Sequence, residues 1–441
     1  MTSAGRAGGK EYDSWQTGNP KNLKKEEKEM KKITYCIVVF VLLAGLVMGA
    51  WTPNPTLAQT PKPKSSAPPP GEIRIGINFT LSGSGAMWGI AFGRGVKKQI
   101  EDINKEGGLL VGGKRYLIKF IEYDNKRDPA ASMENAKKLI FTDKVHAIMH
   151  HGGVCVTPTL PILSENKIVS MDISVGPQVI KWPYNFNVLP AGRTWSLMTY
   201  KAFVRQWPQI KKVAEINPDN DSGYTTELDD RWAAKQVGVE MVSHQFFTDD
   251  TTDFYPVLTK TIAANPDIIV IGLGSPGHVP LVLKQARELG YKGPMGMTQG
   301  AVGAPATLVK IAGEAAENFV WTSPCHSDRN FLSKQENEWM DYWLKRWGEP
   351  FMQDSFLGYK QFSLWAQAVP KANSLDPDKI AKILETSDFV VQGWKIHFVA
   401  TPDSYMGRPR SLVFPFPISI IKEGKNVVLD LILPEGVEKA K

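Results

Sequence analysis

Ile73, Ile75, Ile77 and Phe79 alternate with other residues at period two, which predicts a buried strand. A turn rich in glycine and serine follows, Ser82-Gly83-Ser84-Gly85, with Trp88 just beyond it. Val96, Ile100 and Ile103 then recur at helical spacing until Gly107-Gly108 stop the helix. Strand, glycine loop and helix form the opening unit of an α/β domain. Open α/β sheets bind ligands at the carboxyl ends of their strands. The loop carrying Ser84 and Trp88 is therefore the first candidate site.

The pattern continues with strands predicted at 116–122, 146–150, 168–171 and 185–188, and helices at 129–141 and 158–165. It then restarts: helix 195–207, strand 212–216, helix 224–237, strand 239–247, helix 254–264, strand 268–271, helix 279–289 and strand 294–298. Such alternation builds parallel sheets, and two successive blocks of similar size imply two lobes with a cleft between them. An aromatic helix at 331–347 and a second near 356–372 finish one lobe, and a late strand is expected around 412–421.

A length of 441 residues agrees with two lobes, and 42% hydrophobic residues suffice for sizeable cores. Net charge is +7, of which +3 lies in residues 1–59, with no basic block after residue 72. Nucleic acid is thus not an expected partner. Residues 1–29 are polar; Met30-Lys31-Lys32 then precedes an apolar run at 33–47, small residues and Ala58. That order reads as an extension and signal peptide over 1–58, cut after Thr56-Leu57-Ala58, with Met30 an alternative start. The run is short for a membrane span, an uncleaved anchor being the alternative. No cysteine follows the run where a lipoprotein needs one, so export without lipidation to the periplasm is expected. A Pro-rich linker occupies 59–72.

The motifs that could carry chemistry are sparse. Gly272-Leu273-Gly274-Ser275-Pro276-Gly277 fits a dinucleotide fingerprint, but the next strand ends in Gln299 rather than an acid, and Pro276 removes an amide. A strand-to-helix loop facing the cleft is the better reading; a nicotinamide-dependent dehydrogenase is the rival from another class. His150-His151-Gly152-Gly153-Val154-Cys155 lies at another strand end. The two histidines could ligate a metal, polarise a carbonyl, bind a carboxylate or simply bond to backbone, and spacing places no third metal ligand. Cys155 and Cys325 could bridge in an oxidising compartment or remain two buried thiols. Asp249, Asp250 and Asp253 read as a solvated loop, and Trp339, Trp343 and Trp347 as one packed helix face. No enzyme signature, cofactor site or metal site is expected.

Several stretches together resemble the periplasmic leucine/isoleucine/valine-binding proteins, the solute receptors of ABC transporters. They are IGINFTLSGSGAMWG, INKEGGLLVGGKRYLIKFIEYDNKRDPAASMENAKKLI, IVIGLGSPGHVPLVLKQARELGYKG, IAGEAAENFVW and LGYKQFSLWAQAV. The resemblance covers residues 73–433. It implies two doubly wound α/β lobes joined by three hinge crossings, placed near 190–193, Pro324 and Pro409. The N-lobe would comprise 73–190 and 325–408, and the C-lobe 191–324 and 409–435. A monomer that closes over a small-molecule ligand and docks on ABC permease subunits is implied, with a membrane-anchored sensor of the same fold as the alternative.

In amino-acid-binding members of that family, a Ser and a Thr hold the ligand carboxylate, and an Asp and a Glu hold its ammonium. Here the hydroxyl positions fall at Val154 and Val175, beside Ser174, and the acids at Thr194, beside Arg193, and Gln299. A cleft without those acids should reject free α-amino acids, because each charged hydrogen bond lost costs about 1.5–3 kcal/mol. The candidate ligand-binding set is Ser84, Trp88, His151, Gly153, Val154, Ser174, Val175, Arg193, Thr194, Tyr224, Ser275 and Gln299. It suits an amide-like molecule or an aromatic or aliphatic carboxylate, with Arg193 as the reason to lean toward the carboxylate.

Overall fold

A computed structural model describes residues 71–83, 85–176, 180–401 and 404–440. The expected extension and signal peptide, nearly all of the linker, and Ser84 lie outside the described residues. Among the described residues no helix is long and apolar enough to cross a membrane.

The opening block supplies β1 (Gly71–Phe79), β2 (Leu109–Val111), β3 (Lys114–Asp124), β4 (Ala147–His151), β5 (Val169–Ile173) and β6 (Asn185–Asn187). The second supplies β7 (Lys212–Pro218), β8 (Glu240–Phe247), β9 (Ile268–Ile271), β10 (Met295–Met297) and β11 (Val320–Thr322). After two helices come β12 (Phe389–Val391), β13 (Trp394–Val399), β14 (Ser411–Val413), β15 (Phe416–Lys422), β16 (Lys425–Ile432) and β17 (Glu438–Lys439). They form two sheets, one in the order β12-β13-β14-β6-β5-β4-β1-β3-β2, with β17 on β13, the other β16-β15-β11-β10-β9-β7-β8. β1 pairs in parallel with β3 and β4, and β7 with β8 and β9, so each sheet has a parallel centre. This is the expected α/β architecture.

The predicted strand at 412–421 is in fact two strands in different sheets. β14 pairs with β6 and β13 in the first sheet, whereas β15 pairs with β11 in the second. The chain therefore crosses at Phe414-Pro415, later than the expected crossing near Pro409, and returns once more to the first sheet at β17. Ser411–Val413 belongs with the first sheet rather than with the C-lobe. Pro415 has no amide to give a ladder, which makes it a natural place for one strand to end and another to begin.

Close packing in the first lobe rests on two glycines. The Ala86–Lys105 helix lies against the Ser355–Ala372 helix. A Cβ at Gly95 would stand 2.0 Å from the Ser355 carbonyl oxygen, and one at Gly358 2.0 Å from that of Phe92. The 331–347 pattern becomes a helix at Lys334–Trp347, because Ser333 and Glu336 make a capping box. Trp339 and Trp343 are buried edge to face at 6.0 Å, and the Arg94 guanidinium sits over Trp343 and Trp347. Cys155 and Cys325 are both free and buried.

Candidate functional site

β1, β4 and β5 end side by side, and the loops beyond them face those following β7, β9 and β10 of the other sheet. Between them lies a cavity with about 640 Å³ of space, part of it open to solvent.

Alternation along β4 separates the two histidines. His150 turns into the first lobe, where Asn78 Nδ2 donates to its Nε2 at 3.1 Å and Thr159 Oγ1 lies 3.4 Å from its Nδ1. His151 lines the cavity, packed edge to face with Trp88 at 5.9 Å and Phe92 at 4.8 Å. Burial pushes both imidazoles down to about 3, and Arg127 adds to the effect at His151, so both rings are neutral. His151 Nδ1 has no partner. Among the described residues no group of three or more His, Cys, Asp or Glu could hold a metal.

Gly153 has no Cβ, and one placed there would lie 2.6 Å from Ser222 Oγ and 3.4 Å from Ser174 Oγ. Two hydroxyls, one from each lobe, therefore flank the same backbone. Ser174 Oγ is buried without a partner. Ser222 sits in the first turn of the Asp221–Gln236 helix, whose cap Asn220 accepts from the Ser222 and Gly223 amides at 3.1 Å. The positive end of that helix favours negative charge nearby.

Gln299 follows β10 on the opposite wall. Its Nε2 donates to Ser196 Oγ (2.8 Å), the Gly192 carbonyl (3.2 Å) and Asp229 Oδ2 (3.3 Å), while Oε1 has no partner. Behind it lies a buried acid pair. Desolvation lifts Asp230 to about 7 and raises Glu215 well above the usual carboxylate range, Asp230 adding to the effect at Glu215.

Of the predicted residues, Trp88, His151, Gly153, Val154, Ser174, Val175 and Gln299 all line the cavity. Four others do not. Arg193 and Thr194 are exposed on the outer side of the Gly192–Gln206 helix, Arg193 pairing with Asp229 at 3.6 Å, while Trp195 turns inward. Tyr224 is 45% exposed and donates its hydroxyl to Asp219. Ser275 spends its hydroxyl accepting from the His278 amide at 3.2 Å. With Arg193 outside, the reason for leaning toward a carboxylate falls.

The sequence reading missed Phe92, Arg127, Ser222, Leu273 and Asp354, all of which line the cavity. Phe92 was legible as the i+4 neighbour of Trp88, and Arg127 as a residue just past the end of β3. Asp249, read as a solvated acid, instead binds Arg127 through two contacts of 3.0 and 3.1 Å, joining the loop after β3 to the loop after β8. Asp354 had no sequence signal. It is 2% exposed with Oδ2 unpaired, and burial lifts it to about 7 against the opposing pull of the Gly303 amide across the cleft.

Residues 72–407 match the family described as periplasmic binding protein. The leucine-specific-binding protein of Salmonella typhimurium is 26% identical over 276 residues, covering 60% of this chain and 70% of that protein. A leucine-, isoleucine-, valine-, threonine- and alanine-binding protein of Pseudomonas aeruginosa is 23% identical, covering 72% and 83%. A Thermotoga maritima leucine-binding protein superposes with a TM-score of 0.69 at 21% identity, covering 82% of this chain and 99% of that one. A solute-binding protein from R. palustris solved with benzoate gives 0.69 at 18% identity, covering 83% and 98%.

Proposed function

The chain belongs to the periplasmic binding protein family of ABC-transporter solute receptors, and on that premise we propose that its ligand is a small aromatic or aliphatic carboxylate or amide rather than a free α-amino acid. The observation that carries this reading is which polar atoms the cavity leaves unspent. Ser174 Oγ, His151 Nδ1 and Gln299 Oε1 are neutral, buried and unpaired, in a wall otherwise built from groups such as Phe92, Val154, Ile173, Trp195 and Leu273. Arg127, the cation in the lining, is engaged with Asp249. The ligand's carbonyl or carboxylate end is assigned to Ser174 and Ser222, near the positive end of the Asp221–Gln236 helix. Its apolar body is assigned to Trp88 and Trp195, and Gln299 closes over it from the second lobe. The benzoate bound by the R. palustris neighbour has this shape and polarity.

Binding would act by hinge closure, since a ligand touching both lobes stabilises the closed arrangement. Delivery would be to permease subunits of an ABC importer, from outside the cytoplasmic membrane. A thermal-shift screen with benzoate, benzamide, branched aliphatic acids and leucine tests the assignment. A ligand at 100 times its dissociation constant adds about 2.7 kcal/mol of stability. Benzoate- or benzamide-type compounds should stabilise the protein, with leucine no better than millimolar; micromolar leucine binding overturns the reading.

One observation favours a second reading. Asp354 is an acid within the cavity wall with an unpaired oxygen, and such a group could answer a ligand amine. The pH dependence of binding separates the two readings.

A further inference from the structure

A second pocket, of about 400 Å³ and partly open to solvent, shares only Pro324 with the lining of the interlobe cavity. Its walls come from both sheets. Cys325 and His326 follow β11, Pro415 and Pro417 mark the crossing from β14 to β15, and Leu431 belongs to β16. Lys360, from the Ser355–Ala372 helix, enters from the first lobe.

Lys360 is 5% exposed, and its ammonium lies 3.9 Å from the centre of the Phe414 ring. Among the described residues it makes no hydrogen bond and no ion pair. Glu336, which lines the same pocket, attracts the ammonium through space but does not reach ion-pair distance. It accepts from the Ser333 amide and hydroxyl at 2.8 Å each. Burial keeps the Cys325 thiol protonated and pushes His326 down to about 4, leaving a neutral imidazole whose Nδ1 has no partner. A buried ammonium is unfavourable unless paired and hydrogen-bonded, and one aromatic face answers only part of that.

We propose that this hinge-side pocket is a second binding site, for a small carboxylate with an apolar body held by Lys360 and His326. Two carboxylate oxygens match an ammonium that makes no hydrogen bond among the described residues and the unpaired ring nitrogen. Phe356, Trp394 and Leu431 offer surface to an apolar chain, which a halide would leave uncovered. Because the walls include two hinge crossings, occupancy of this site changes with lobe opening. It is therefore linked reciprocally to binding in the interlobe cavity.

Sodium butyrate is the probe, read by calorimetry and thermal shift at constant ionic strength against chloride. The native chain and Trp88→Ala should both take up butyrate saturably, and Lys360→Met should bind it about tenfold or more weakly, as expected for one charged hydrogen bond. An unchanged response in Lys360→Met overturns the proposal, as does an equal response to chloride. A response lost in Trp88→Ala and kept in Lys360→Met moves the binding to the interlobe cavity and also overturns it. Should Lys360→Met not fold, crystals of the native chain grown in butyrate decide the matter. A carboxylate within hydrogen-bonding reach of Lys360 Nζ supports the site, and its absence there overturns it.

Discussion

Trp88 and Gln299 face one cavity from different lobes, but they are held differently. Trp88 packs edge-on to His151 with the Arg127 guanidinium 5.7 Å from its ring centre. Trp88→Ala should weaken ligand binding by about 2–3 kcal/mol, roughly 30–150-fold, through lost stacking and buried area. Calorimetry with the ligand returned by the screen measures this, and parental affinity removes Trp88 from the site. Gln299→Ala should cost about 1 kcal/mol of affinity. Gln299→Glu is the less clean probe, because it removes the donor to Ser196 and brings a carboxylate against Asp229.

Asp354 gives a pH signature with a definite sign. Burial lifts it from 3.8 to about 7, so the folded chain holds this proton more tightly than the unfolded one. The stability it contributes is complete below about pH 4 and is lost as pH rises through about 7. Asp172, lifted to about 8 by burial, and Asp230, lifted to about 7, act with the same sign and remain in the variant. The buried neutral His150 and His151 act with the opposite sign up to about pH 6.5, so the test is a difference: the melting temperature of Asp354→Asn relative to the native chain should rise between about pH 5 and pH 8. The same group discriminates the ligand readings. An amine would bind more tightly as pH rises through 7 and Asp354 ionises, whereas a ligand that accepts the Asp354 proton would bind more weakly.

At the scale of elements, the helix pair Ala86–Lys105 and Ser355–Ala372 carries both structure and site. Phe92 lines the cavity from one helix and Leu357 from the other, with Asp354 just before it. In an exposed helix Gly→Ala raises stability. Here Gly95→Ala would drive a Cβ to 2.0 Å from the Ser355 carbonyl oxygen. The expected result is a loss of about 1–3 kcal/mol in urea unfolding, together with weaker ligand binding as the cavity wall shifts. A stability gain would show that the two helices do not meet at this glycine. The helices and longer strands were legible because each buries a regular stripe. β11, three residues that no period announced, holds its place through neighbouring strands.

At the scale of the molecule, Arg127 and Asp249 tie the loops of the two lobes together across the mouth of the cleft. Their side chains are 15% and 34% exposed, so the pair is partly shielded from salt. Arg127→Ala and Asp249→Ala should each favour the open arrangement, visible as a larger radius of gyration in X-ray scattering without ligand. A double-mutant cycle on ligand affinity should return a coupling on the order of 1 kcal/mol that shrinks at high salt. Additive effects would mean that the pair does not contribute to closure.

The sequence by itself determined the α/β alternation, the two blocks, and the strand-end loops that meet at the cavity. These follow from local periodicity and from the rule that parallel strands present their carboxyl ends together. It also located Trp88, His151 and Gln299, because each lies on or just beyond a strand end or glycine loop. Only the tertiary structure decided which neighbours face inward. Arg193 and Trp195 are two residues apart on one helix, yet one is solvent-exposed and the other lines the cavity. Ser174, Ser222, Arg127 and Asp354 come from four separate segments, and no spacing along the chain could bring them to one cavity. The crossing at Phe414-Pro415 was likewise hidden, since a continuous apolar run looks the same whether one sheet or two will bury it. Chemistry at the cleft comes from convergence in space, which periodicity does not encode.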